Sequence, residues 1–152
     1  MLFRSLEMGG KNAIVVLDDA NIDLAVEGAV WGAFGTTGQR CTAASRMIVQ
    51  KGAYSEFVSK FVDRSNKLRV GDGLDESNDM GPQINQQQIE TSEKYVAIGK
   101  GEGAKVLAGG SRNTSGRNAS GWFFEPTIFG EDRKSTRLNS SHIQKSRMPS
   151  SA

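Results

Sequence analysis

Among the 152 residues there are only one cysteine, one histidine and three prolines. A lone cysteine excludes an intrachain disulfide framework and a cysteine-built zinc site, and it suits a reducing compartment. No apolar run approaches the roughly 18 residues that a membrane span needs. The first dozen residues lack the long apolar core of a secretory signal. The expectation is a soluble, cytoplasmic chain of a length that suits one domain or a piece of one. Charge of one sign is also scarce. The formal net charge is +2, but residues 131–152 hold five Lys plus Arg against two acids, whereas residues 1–130 hold 14 against 15. The basic excess therefore belongs to the last stretch and says little about partners of the body.

What is present alternates between two periodicities. AIVVL (13–17) is a continuous, mostly β-branched run of the kind that forms a buried strand in a parallel sheet. DDANID follows, with an N-cap candidate and first-turn acids for a helix bearing Ile22, Ala25, Val26, Ala29, Val30 and Ala33 on one face. The helix breaks at GTTG. SRMIVQ (45–50) is the next strand; after a turn at Lys51 and Gly52 comes a helix with Phe57, Val58, Phe61, Val62, Ser65 and Leu68 at helical spacing. VGDGLDESNDMGP is a connection, and QINQQQIETSEKYVAIGKGEGA is a helix ended by glycines. KVLAGG is a short strand, residues 111–121 an exposed loop, and WFFEPTIF a strand interrupted at Pro126. Strand and helix alternation predicts an α/β fold with a mostly parallel sheet. Beyond Gly130 neither period can be counted, and six of the last 22 residues are serine. Residues 1–130 are thus expected to form the folded part and 131–152 a disordered tail.

The chemistry gathers at two places. Cys41 ends a turn rich in glycine and threonine, GTTGQRC. By composition it is open between a small core residue and a nucleophile. Glu7, in LEMGGKN, precedes the first strand, and its alternative is a solvated strand-edge carboxylate. The loops of such a strand and helix unit can end on one side of a sheet, which allows the pair to meet. A thiolate attacks a carbonyl carbon without a metal, and a neighbouring carboxylate can deprotonate the thiol or a later water. Arg40 adds a positive charge beside the thiol. His142 lies in the tail, so a Cys and His dyad is not expected, nor is a metal site. Gly9, Gly10 and Gly38 are read as turn or close-approach residues, and Lys11, Arg46 and the acids of DDA as structural.

At these residues the sequence resembles the aldehyde dehydrogenase superfamily. LEMGGKNAIVVLDDANIDLAVEG is similar to the family's glutamate motif, and FGTTGQRCTAASR to its cysteine motif at the family's spacing. GAYSEFVSKFV, LRVGDGLDESNDMGPQIN, GAKVLAGG and GWFFEPTIF continue the likeness in order, over about residues 4–130. The resemblance implies a partial aldehyde dehydrogenase catalytic domain in which Cys41 attacks the aldehyde and Glu7 activates the water that hydrolyses the thioester. It implies NAD or NADP as cofactor, a Met8 backbone contact to the nicotinamide amide, and Gln88 at the nicotinamide ribose. Gln88 lies in a run of three glutamines, and its alternative is a residue on a surface helix. The variant GTTGQRCTAASR looks most like members acting on semialdehydes, such as ketoglutaric semialdehyde dehydrogenases.

The family's dinucleotide-binding domain and the asparagine completing its oxyanion hole precede the glutamate motif, and do not fit in Met1 to Leu6. RKSTRLNSSHIQKSRMPSSA has no counterpart recognisable in the family. The expectation is an internal fragment of an NAD(P)-dependent enzyme whose parent is a homodimer or homotetramer acting on a small-molecule aldehyde. The isolated chain, with a non-native tail, is expected to be inactive, to fold marginally, and to engage neither nucleic acid nor membrane. The alternative is a non-catalytic polypeptide whose basic tail binds anions.

Overall fold

The computed structural model describes residues 10–130. Glu7, Met8, Gly9 and residues 131–152 lie outside them. Strand β1 (Asn12–Val16) leads into helix α1 (Ile22–Phe34), strand β2 (Ala44–Val49) and helix α2 (Lys51–Asn66). Helix α3 (Gln86–Gly101), strand β3 (Lys105–Ala108) and strand β4 (Ile128–Gly130) follow. β1 and β2 pair in parallel, with Asn12 opposite Ala44 and Val16 opposite Val49. β3 and β4 pair antiparallel in a separate two-stranded sheet.

Helix α1 begins where the DDANID segment suggests. The Asn21 side chain accepts the Leu24 N–H at 3.1 Å, and Asp23 stands in the first turn, where a negative charge favours the helix dipole. Its apolar face buries Val26, Ala29, Val30, Ala33 and Phe34. Lys51 and Gly52 are not a turn but the first turn of α2. The cause is a cap from elsewhere in the chain: Asp18, after β1, accepts the Ala53 N–H at 3.0 Å. A Cβ on Gly52 would stand 2.8 Å from that carboxyl group, so glycine leaves the room the cap requires.

The two helices cover one face of the β1 and β2 pair. Ile14, Val16, Met47 and Val49 point into a core completed by Val30, Phe34, Phe57 and Phe61. Phe61 stacks on both Phe57 and Phe34, at centroid separations of 5.5 and 6.0 Å. The opposite face corrects the expectation of a strand buried on both sides, because Val15 is 61% exposed, Leu17 53% and Ile48 54%. Pleat alternation explains the split: the inward residues meet α1 and α2, and the outward ones meet no element among the described residues.

A second, smaller cluster joins Ile89 and Val96 of α3 to Phe124, with Trp122 and Phe129 against it. The strand expected over WFFEPTIF is short, since only Ile128–Gly130 forms ladder pairs and Phe124 makes an isolated bridge to Arg112. Pro126 lies between them, where its missing N–H interrupts a ladder. The loop 111–121 is tied down rather than free. Asn118 Nδ2 donates to the Val70 carbonyl at 2.8 Å.

Candidate active site

Parallel pairing decides where the two chemical motifs meet. With Asn12 opposite Ala44, the segments entering β1 and β2 emerge at the same end of the strand pair. Gly10 precedes β1 and Cys41 precedes β2 at that end. Gly10 and Cys41 come together directly, since a Cβ on Gly10 would lie 3.0 Å from the Cys41 carbonyl oxygen. The close approach expected of Gly10 is thus present.

Cys41 is exposed, which removes the core reading. It occupies the second position of a turn closed by the Ala43 N–H on the Arg40 carbonyl at 3.1 Å. The backbone before it reverses sharply. Thr36 and Thr37 have φ of 56° and 55°, and Gly38 has φ of 64°. Left-handed backbone at a β-branched residue costs about 1–3 kcal/mol, a kind of strain that clusters at functional sites. Local bonds hold it: each threonine hydroxyl donates to the preceding carbonyl at 2.6 Å, and Gln39 Nε2 donates to Thr37 Oγ1. Gln39 Oε1 also accepts the Ile84 N–H at 3.0 Å, which ties the turn to the approach of α3.

Arg40 turns back onto α1. Its guanidinium lies 5.1 Å from the Trp31 ring centroid, and Nη2 donates to the Trp31 carbonyl at 3.3 Å. Its Nε is buried and has no hydrogen-bond partner among the described residues. Trp31 itself is 64% exposed, so a cation and a broad apolar surface flank the thiol's turn. On the other side, Asn12 Nδ2 donates to the Cys41 carbonyl at 2.7 Å and to the Ala43 carbonyl at 3.2 Å. Arg46 Nη2 donates to the Lys11 carbonyl at 2.7 Å, in keeping with a structural role for Arg46.

Gln88 is not a surface residue. It is 5% exposed in the first turn of α3, where its N–H donates to the Asn85 side chain at 3.0 Å. Met8 and Glu7 lie outside the described residues. No group of three or more His, Cys, Asp or Glu able to hold a metal occurs among the described residues, and no helix there is long and apolar enough to cross a membrane. Asn12, Gln39 and Trp31 form part of this neighbourhood without having been singled out from the sequence. A polar side chain opening an otherwise apolar strand was the signal available for Asn12.

Residues 4–143 match the model of the aldehyde dehydrogenase family. The chain is 44% identical over 124 residues to an alpha-ketoglutaric semialdehyde dehydrogenase of Bacillus subtilis, covering 82% of this chain and 25% of that protein. It is 43% identical over 134 residues to a probable succinate-semialdehyde dehydrogenase [NADP(+)] of Sinorhizobium fredii, covering 88% and 26%. Among solved structures it is similar to betaine aldehyde dehydrogenase from Staphylococcus aureus in complex with NAD+. That likeness has a TM-score of 0.86 and 36% identity, and covers 90% of this chain and 27% of the other. The chain spans about a quarter of the length of the relatives it matches.

Proposed function

Because the chain belongs to the aldehyde dehydrogenase family, we propose that it carries the nucleophile and the base of an enzyme that oxidises an aldehyde to a carboxylate. The observation that carries this reading is the exposed Cys41, seated on a held turn against the strand that follows Glu7. Cys41 Sγ attacks the aldehyde carbon, a C–S bond forms, and the Cys41 N–H supports the oxygen as charge develops on it. The attack opens the carbonyl π bond to give a thiohemiacetal, and loss of hydride from its carbon leaves a thioester; NAD or NADP would supply the hydride acceptor. Water activated by Glu7 then attacks the thioester, releasing the carboxylate and returning the Cys41 thiolate.

For the dinucleotide, the resemblance assigns Gln88 and Met8. Gln88, the position assigned to the nicotinamide ribose, is buried, and Met8 lies outside the described residues. This chain alone, about a quarter of its relatives' length, is expected not to turn over.

Acidic aldehydes, semialdehydes among them, are the substrates this site favours. Arg40 sets a cation one residue from the nucleophile, and two relatives bear semialdehyde dehydrogenase names. The test is alkylation of Cys41 by iodoacetamide, followed by peptide mass spectrometry, with and without a small aldehyde such as propanal. Aldehyde should slow labelling, and the Cys41→Ala chain should take none. Labelling that an aldehyde leaves unchanged would refute the nucleophile.

A further inference from the structure

One amide reaches from the glutamate motif into the cysteine turn itself. Asn12 stands at the first position of β1, and its Nδ2 donates to the carbonyls of Cys41 and Ala43, at 2.7 and 3.2 Å. In the turn from Arg40 to Ala43, the peptide between Cys41 and Thr42 is the one whose rotation distinguishes the common turn types. Its carbonyl is the one Asn12 holds. Holding that carbonyl restrains ψ at Cys41, and with it the direction in which Cβ, the stem of the thiol, leaves the backbone.

Two neighbouring features favour the same arrangement. A Cβ on Gly10 would fall 3.0 Å from Asn12 Nδ2 and 3.0 Å from the Cys41 oxygen, so glycine leaves the space the amide and carbonyl share. The pairing register also shifts between Asn12 and Ala13, from Ala44 to Arg46. Such irregularities re-aim side chains at strand ends beside active sites. Ser45, in the skipped position, donates from its hydroxyl to the Asn12 carbonyl at 3.1 Å, which bonds the same two strands without touching the Cys41 turn.

We propose that Asn12 is a positioning residue that orients the nucleophile by holding the Cys41 carbonyl, coupling the glutamate motif to the cysteine turn. The proposal rests on the reading of Cys41 as the nucleophile. An oriented thiol and N–H matter for stabilising the adduct with an aldehyde, where small misplacements are costly. They matter much less for simple alkylation of an exposed thiol.

The experiment uses the full chain and compares Asn12→Ala, Asn12→Asp and Ser45→Ala in the propanal protection assay, with helical circular dichroism as the check on folding. Asp matches Asn in size, but at pH 7 it has no side-chain proton to donate. In both Asn12 variants the propanal concentration giving half protection should rise about tenfold. Their iodoacetamide rate without aldehyde should stay within about twofold, and Ser45→Ala should protect as the unsubstituted chain does. Equal protection in the Asn12 variants overturns the positioning role alone, and so does an equal loss in Ser45→Ala. Loss of helical signal in both Asn12 variants while Ser45→Ala stays folded makes Asn12 a purely structural residue and overturns it too. Absence of protection in the unsubstituted chain removes the nucleophile and the proposal together.

Discussion

At the scale of single residues, charge and strain converge on the cysteine turn. Arg40, the residue before Cys41, is held over Trp31, so its cation has a defined place on α1 rather than sweeping through solvent. Comparing iodoacetate with iodoacetamide isolates that charge, because the two reagents differ chiefly in the sign they carry. Replacing Arg40→Ala should lower the iodoacetate to iodoacetamide rate ratio about two- to threefold, the scale of a solvent-screened charge pair. An unchanged ratio would reduce Arg40 to a packing partner of Trp31 and withdraw support for acidic substrates. The residue type and position of Cys41 were legible in the sequence. The Asn12 contact was not, since it spans 29 positions and depends on a strand register that local pattern does not encode.

At the scale of elements, the helices are held by burial and the connections by charge. Phe57 is 1% exposed and stacks on Phe61 at the centre of the α1 and α2 contact. Phe57→Ala should cost about 3–5 kcal/mol through lost transfer energy and the cavity left behind. Chemical denaturation followed by circular dichroism would measure it. In the connection between α2 and α3, Asp79 accepts the Arg69 backbone N–H at 2.9 Å and its guanidinium at 3.0 and 3.1 Å. Arg69 holds the Asp79 carboxyl down to about 2, from an ordinary 3.8. A depressed acid favours the folded state once it is ionised, so its contribution is full above about pH 4 and is lost as the pH falls through about 2. Because the side chain is a third exposed, solvent screening keeps that contribution below ~1 kcal/mol. Asp79→Asn should therefore lower stability at pH 7 and narrow the gap to the unsubstituted chain at pH 2. Thermal melts at the two pH values would read the difference. The start of α2 is an instance where sequence pattern fell short. Lys51 and Gly52 look like a turn until the cap from Asp18, 35 positions from the N–H it accepts, is seen.

At the scale of the whole molecule, the described part is a one-sided structure. Val15, Leu17 and Ile48 form an exposed apolar face on the parallel pair, and Leu24 and Trp31 are exposed along α1 at 72% and 64%. Contiguous apolar surface beside unpaired strand edges promotes association. The chain should scatter light increasingly with concentration. Val15→Thr combined with Ile48→Thr should reduce that scattering while leaving the helical signal intact, because Thr keeps strand propensity and adds a hydroxyl. Scattering unchanged by the pair would place the association elsewhere.

By itself the sequence determined the order of strands and helices, the face of α1 that turns inward, and the family to which the chain belongs. These depend on periodicity, caps and short motifs, which act over a few residues. Only the tertiary structure decided that Cys41 is exposed, that Gln88 is buried, that AIVVL has one covered face, and that Asn12 grips the cysteine turn. Each of those depends on which distant segments pack against which. The parallel register of β1 and β2 and the cover supplied by α1 and α2 set that packing, and no local pattern carries it.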